Sequence, residues 1–227
     1  AGHLTGGEPM WLWPLVYSGF LRVRLSDELL AKLNVQIDKL WKDAHTPSHA
    51  PFLEGEMKRG RQLYIRQVDP EYQAVLLCAA KSLAAAVLAD DAEDMQYELD
   101  NVWTVHQLAG DYNPVHFHTN VRSHFGFSSF LHLQLPPQLH GGQLRKPRRG
   151  AKGHHDGVTS FVWKAGCLEA DTERLELPGL VECELEEGYL YVFPQWLQHL
   201  VWPFRGGGER RTLAANVALI DRSDLDR

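Results

Sequence analysis

From Ser26 the apolar positions of SDELLAKLNVQIDKLW fall at Leu29, Leu30, Leu33, Ile37, Leu40 and Trp41, the three-and-four spacing of one helix face. Ser26 is placed to cap that helix, and Asp27 and Glu28 suit the positive end of its dipole. A second helix starts at Asp69-Pro70 and runs through EYQAVLLCAAKSLAAAVLADD, rich in Ala and Leu with proline in its first turn. Cys78 lies in its apolar set and is expected to be a small buried hydrophobe. Ahead of both, MWLWPLVYSGFLRVRL is apolar but broken by Pro14 and Gly19, and reads as a short strand or two against the core. Residues 42–60 read as a loop, with His45 and His49 at the surface.

After the acidic turn at Asp90 to Asp94 the period changes to two. Tyr97, Leu99, Asn101, Trp103, Val105 and Gln107 share one side of a strand, with His106 on the other. Large residues occupy both sides, so the pattern leaves the inward face open. Gly110-Asp111 forms a turn, and Asn113-Pro114 re-enters a strand that carries His116 and His118. Phe125, Phe127 and Phe130 to Leu135 supply a further strand, stopped by Pro136-Pro137. VTSFVWKAG is another. LELPGLVECELEEGYLYVFPQWLQH reads as a hairpin-like pair turning at Glu187-Gly188 and delivering Tyr191, Phe193 and His199.

With 227 residues, this pattern predicts a single domain over 1–227. Residues 1–96 supply supporting strands and helices, and 97–220 a β core. At 44% hydrophobic and 23% charged the composition is that of a globular protein. The net charge of -6 argues against a general nucleic-acid surface. The basic stretch GGQLRKPRRGAKGHHDG is a Gly/Pro loop without the aromatic interleaving of a single-strand platform. Placed at the mouth of a site, it would attract an anionic substrate. Cys78, Cys167 and Cys183 have neither disulfide-framework nor metal spacing, which fits a reducing, cytoplasmic compartment. There is no secretory signal and no apolar run near spanning length, so no membrane partner is expected. Oligomerisation stays open.

His116 and His118, two apart in an extended segment, can aim both rings into one cavity, and His199 sits in another strand-like run. Three imidazoles on a β scaffold suit Fe, Zn, Ni or Cu better than a hard oxygen-seeking ion.

HLVWP from His199 to Pro203, followed by RRTLAANV, resembles the last strands of the non-haem Fe(II), 2-oxoglutarate-dependent oxygenases, in particular the prolyl-hydroxylase-like branch. His199, Val201 and Pro203 fit the H-x-V-x-P run of the distal iron histidine. Arg210 and Thr212 fit the R-x-S strand that holds the far carboxylate of 2-oxoglutarate, with Thr keeping the hydroxyl. GDYNPVHFH resembles the segment ending in H-x-D/E, with His116 as the first iron ligand. Asn113, Pro114 and FPQWLQH are similar to a group of bacterial and phage members. The resemblance covers about residues 97 to 220.

That resemblance implies a mainly β protein with flanking helices, a double-stranded β-helix (jelly roll, cupin-like). It implies Fe(II) as cofactor, 2-oxoglutarate as co-substrate, molecular oxygen, and hydroxylation of an unidentified substrate. Asn120 and Ser128 stand where polar residues touch the near end of the keto acid. The departure is His118, where the pattern has an acid; the third ligand is His118 or a carboxylate such as Asp156 or Asp111. Cupins support the first choice, because Gly110, His116 and His118 keep their G-x5-H-x-H spacing and Gly188, Pro194 and His199 match most of their second motif. The alternatives are a three-histidine cupin-type metal oxygenase without 2-oxoglutarate and a non-catalytic metal- or ligand-binding β-helix module, in which Arg210 would hold nothing.

Overall fold

The computed structural model describes residues 11–12, 19–52, 57–119, 125–140, 155–163 and 179–222. Among the described residues, eleven strands form two antiparallel sheets. They are β1 (Trp11–Leu12), β2 (Leu21–Arg24), β3 (Arg61–Tyr64), β4 (Met95–Gln107), β5 (Asn113–His116), β6 (Phe125–Gln134), β7 (Thr159–Val162), β8 (Leu180–Glu182), β9 (Tyr189–Pro194), β10 (His199–Val201) and β11 (Arg210–Asp221). The larger sheet runs β1-β2-β9-β6-β11-β4-β3 and the smaller β5-β10-β7-β8.

Alternation along each strand of the larger sheet divides its two faces. Leu213, Ala215, Val217 and Leu219 of β11 join Phe127, Leu131 and Leu133 of β6 and Leu190 and Val192 of β9 in one apolar core. Helices α1 (Asp27–Lys42) and α2 (Pro70–Leu88) close that core with Leu29, Leu33 and Ile37 and with Tyr72, Leu76, Ala80 and Leu83. Each fully buried Leu or Ile contributes about 1.5–3 kcal/mol relative to exposure. Ser26 caps α1 by accepting the Leu29 N–H, as its position in the sequence predicts. Asp69 accepts the N–H groups of Glu71 and Tyr72 at the start of α2 and also pairs with Lys32 of α1, at 2.7 Å. Against the expectation of no apolar run near spanning length, α2 is long and apolar enough to cross a membrane by length and composition, and one face of it is buried in this core.

A second core lies between the sheets, where Phe130, Tyr191 and Phe193 meet Phe161, Phe20 and Leu197. It fills part of the space between the sheets and leaves the rest as a cavity.

The structure departs from the sequence reading at four further places. RQLY, unassigned from its composition, is the edge strand β3, paired to β4. Strands β8 and β9 are not a hairpin: β8 pairs with β7 in the smaller sheet, and β9 lies between β2 and β6 in the larger. The chain changes sheets between them because its backbone is already engaged elsewhere: Cys183 N–H goes to Thr159 O, and Gly188 N–H to His132 O. Gly188, at φ 80, takes the turn that this crossing needs. Cys78 is exposed rather than buried, on the outer side of α2.

The fourth departure bears on function. Asn216 pairs with Asn101 but Val217 with Leu99, so Asp100 is an extra residue in β4. The bulge reverses the strand's faces. Tyr97 and Leu99 pack on the helix-side core, while Asn101, Trp103, Val105 and Gln107 face the cavity.

Candidate active site

Strands β5 and β10 bring the first two histidines together, since His116 and His199 are direct cross-strand partners. His118 lies just past β5, anchored by its backbone N–H on Gln195 O at 2.9 Å. The ring centroids are 4.2 Å apart for His116–His199, 5.1 Å for His118–His199 and 5.4 Å for His116–His118. One ring nitrogen from each of the three lies within 4.8 Å of the others.

Each ring is held through Nδ1. That of His116 meets Pro114 O at 2.8 Å, that of His199 meets Leu197 O at 3.0 Å, and that of His118 meets Asn216 Oδ1 at 3.1 Å. An oxygen acceptor calls for an N–H at Nδ1 and leaves the Nε2 lone pair free. Burial, with its histidine neighbours, pushes His199 well below the usual range, and burial and His116 bring His118 down to about 4. Both are neutral near pH 7 and available as ligands. The donor set therefore fits a divalent transition metal of the Fe, Ni or Zn kind.

No carboxylate of the described residues joins this cluster. Asp156 pairs with Arg205 at 3.0 Å. Asp111 is buried in its turn, accepting the N–H groups of Lys58 and Leu108. Ser128 does not line the cavity; its hydroxyl donates to Asn216 Oδ1 at 2.9 Å, behind His118. Asn120 lies outside the described residues.

The histidines open into a cavity of about 880 Å³. Arg210, Thr212, Ala214 and Asn216 of β11 form one wall, in the register that the sequence predicts, beside Gln107, Val105, Trp103 and Asn101 of β4. Tyr64, Val115 and Phe117 line it while remaining exposed, so they mark its mouth.

Arg210 is 2% exposed. Its Nε donates to Gly157 O at 2.9 Å, Nη1 to Gln107 Oε1 at 2.7 Å, and Nη2 to Thr159 Oγ1 at 2.9 Å, with His132 Nε2 at 3.3 Å. All are neutral, and among the described residues no carboxylate pairs with it. Burial lowers its pKa to about 10. A buried cation without a counter-charge is costly, and here it borders a cavity. Arg211 points to the other face and is already paired, with Glu209 at 2.8 Å and Asp38 at 2.8 Å.

Three cavity residues had no role assigned from the sequence. Gln107 offers an Nε2 that is buried and without a partner among the described residues; Gln62, on β3, has the same at Oε1. His49, read as a surface residue, lines the cavity in edge contact with Tyr64. Gln107 was within reach of the sequence, since it shares a strand side with Trp103, but only the ladder shows that it stands opposite Arg210.

A family model described as "Putative 2OG-Fe(II) oxygenase" matches residues 101–216, half of the chain and every residue of the cluster and of the Arg210 wall. No curated protein sequence matches. Among solved structures, a prolyl-4-hydroxylase of Pseudomonas putida is 16% identical over 87% of this chain and 91% of its own, with a TM-score of 0.55. The alpha-ketoglutarate-dependent epimerase SnoN from nogalamycin biosynthesis is 13% identical over 89% and 79%, with a TM-score of 0.57. HygX from Streptomyces hygroscopicus, solved with nickel and 2-oxoglutarate bound, is 12% identical over 89% and 83%, with a TM-score of 0.51. At these identities the likeness shows the fold, a double-stranded β-helix.

Proposed function

The chain belongs to the 2-oxoglutarate- and Fe(II)-dependent oxygenases, and from that premise we propose that His116, His118 and His199 hold the iron while Arg210 and Thr212, helped by Gln107, hold the far carboxylate of 2-oxoglutarate. Bound there, the pair supplies the two-electron oxidation by which oxygen turns a substrate C–H into C–OH, the keto acid leaving as succinate and carbon dioxide. The substrate is unidentified, and hydroxylation is the reaction assigned to it.

The observation that carries this reading is the buried, uncompensated guanidinium of Arg210 in the same cavity as the three histidines. Arg210 is held rigidly by neutral acceptors, so it keeps its charge for a ligand. Gln107 adds a free amide N–H on that side, and Thr212, 5% exposed and on the cavity wall, adds a hydroxyl. The apolar walls of Val105, Phe130 and Val201 exclude water around them, which strengthens each charge-assisted bond.

The Gly/Pro-rich basic stretch from which an anionic substrate was expected lies largely outside the described residues, but no described carboxylate lines the cavity to oppose one. Cys78 and Cys183, in no disulfide among the described residues, are consistent with a reducing, cytoplasmic setting.

The test is metal analysis followed by anaerobic titration. The purified protein is expected to take up about one Fe(II), or Ni(II) as surrogate, and His116→Ala with His199→Ala should lose it. Asp156→Ala should keep it. Adding 2-oxoglutarate to the Fe(II) protein should then produce the visible charge-transfer band of a chelated keto acid. Metal without that band would favour a three-histidine site working without 2-oxoglutarate.

A further inference from the structure

His116 and His199 are oriented by carbonyls of their own segments, Pro114 and Leu197, two residues back in each case. Any side chain at those positions would serve, because the acceptor is backbone. His118 has a different arrangement. Its Nδ1 meets a side chain brought in from β11, Oδ1 of Asn216. On the premise that the triad holds a metal, we infer that Asn216 is the positioning residue that makes His118 a ligand, by holding a proton on Nδ1 and so turning the Nε2 lone pair toward the metal.

The geometry around Asn216 supports a single-purpose arrangement. An asparagine amide can present oxygen or NH2, and the NH2 group would select the opposite tautomer of His118. In the structure Oδ1 is the atom presented, and Ser128 supports it: its hydroxyl donates to the same Oδ1 at 2.9 Å, so the oxygen collects two hydrogens. Asn216 is 7% exposed and Ser128 1% exposed, which shelters both bonds from competing water. Trp103 stacks on His118, with centroids 5.5 Å apart and planes at 21°, and fixes the ring plane that Asn216 then fixes in rotation. The Asp100 bulge falls just where Asn216 gives way to Val217, and bulges re-aim the side chains beside them.

The arrangement also answers a chemical need. A carboxylate at position 118 would bind metal with either oxygen and would bring its own negative charge. An imidazole must be delivered in one tautomer, and its donor strength depends on what its other nitrogen meets. Asn216 meets the first requirement and not the second, since it is neutral. Asn216→Asp would supply the missing charge one bond away from the ring while keeping the acceptor.

The tautomer can be read directly. In metal-free wild type labelled with 15N-histidine, long-range proton–nitrogen spectra are expected to show His118 with its hydrogen on Nδ1, and Asn216→Leu should mix or reverse that assignment. In parallel, Ni(II) and Co(II) affinities are measured by calorimetry, with the Co(II) visible spectrum and metal-free melting as controls. Asn216→Leu should weaken both metals by at least about tenfold, the scale on which orienting partners of metal ligands act. Asn216→Asp should bind at least as tightly as wild type and alter the Co(II) spectrum, and Ser128→Ala should weaken binding by a smaller factor. His118 carrying its hydrogen on Nε2 in wild type would overturn the inference whether or not the variants fold. So would Asn216→Leu binding Co(II) within twofold of wild type while His116→Ala loses it, and in that case the metal site itself stands. If His116→Ala binds Co(II) as wild type does, the metal reading fails first and takes this one with it.

Discussion

Gln107 stands opposite Arg210 in the β4–β11 ladder, and its amide oxygen receives the Nη1–H at 2.7 Å while its own nitrogen finds no partner among the described residues. The cation is thus met by a dipole where a carboxylate of the same shape would fit. A glutamate there would neutralise Arg210 in the folded protein and repel any incoming carboxylate.

Gln107→Glu is therefore expected to separate stability from binding. The metal-free protein should melt at or above the wild-type temperature, because a buried charge gains a partner. Its affinity for 2-oxoglutarate should fall by at least tenfold, about 1.4 kcal/mol or more. Differential scanning with and without the keto acid reads both effects at once. A variant that 2-oxoglutarate stabilises as much as it stabilises wild type would remove Gln107 and Arg210 from the binding site.

The two neighbouring arginines should also part company. Arg210→Ala removes the only described cation on the cavity wall, and loss of a buried charged hydrogen-bonding partner costs about 2–5 kcal/mol of binding. Arg211→Ala should leave 2-oxoglutarate binding within about twofold, since its guanidinium serves Glu209 and Asp38 on the opposite face, and should instead lower the melting temperature. Binding that survived loss of Arg210 and failed with Arg211 would mean that the β11 register in solution differs by one residue.

The course of the chain shows why some of this could be read from sequence and some could not. Period-three-and-four spacing marks α1 and α2, and turn residues mark most strands, because those signals are local. His116 and His118 are marked by their spacing and His199 and Arg210 by the family resemblance of HLVWP and RRTLAANV, while the choice of Arg210 over Arg211 follows from strand phase with Thr212. Pairing is not local. Strands β8 and β9 look like a hairpin because a Glu-Gly turn separates them, yet each finds its partner far away in the sequence. The Asp100 bulge is similarly invisible, since Tyr97 to Gln107 alternates without a break and only the partner strand shows that one residue is extra. Asn216 and Gln107 acquire meaning only from what stands across the ladder.

On the helix side, Asp69 does two jobs that a single substitution would end. It caps α2 and ties α2 to Lys32 of α1. Asp69→Ala should cost about 1–2 kcal/mol, nearly all of it from the cap, because Lys32 is more than half exposed and its ion pair is screened. Denaturant unfolding measures the loss. Metal uptake by the folded variant should be unchanged, and a parallel loss of metal would show that the helices support the cavity more closely than the layered cores suggest.

Behind the Arg210 wall, His106 is buried, stacked on Trp41 at 4.4 Å, and hydrogen-bonded through Nδ1 to Glu209. Burial raises the Glu209 carboxyl, but the hydrogen bonds of His106 and Arg211 outweigh it and bring its pKa down to about 2. Burial lowers His106 against the pull of Glu209. In both cases the unfolded chain binds a proton that the folded protein refuses, so both groups make stability fall as pH falls. For His106 the loss begins below the ordinary histidine value of about 6.5, and for Glu209 below the ordinary carboxyl value of about 4.5, continuing toward 2. Glu209→Gln should therefore be less stable than wild type at pH 7, with the gap closing between about pH 4.5 and the lowest pH at which wild type still folds. Urea midpoints across pH 3 to 7 for the two proteins test this, with His106→Gln flattening the upper part of the wild-type curve. Parallel curves for wild type and Glu209→Gln over that range would mean that Glu209 gains nothing from its partners on folding, and the network behind Arg210 would then have to be held by packing alone.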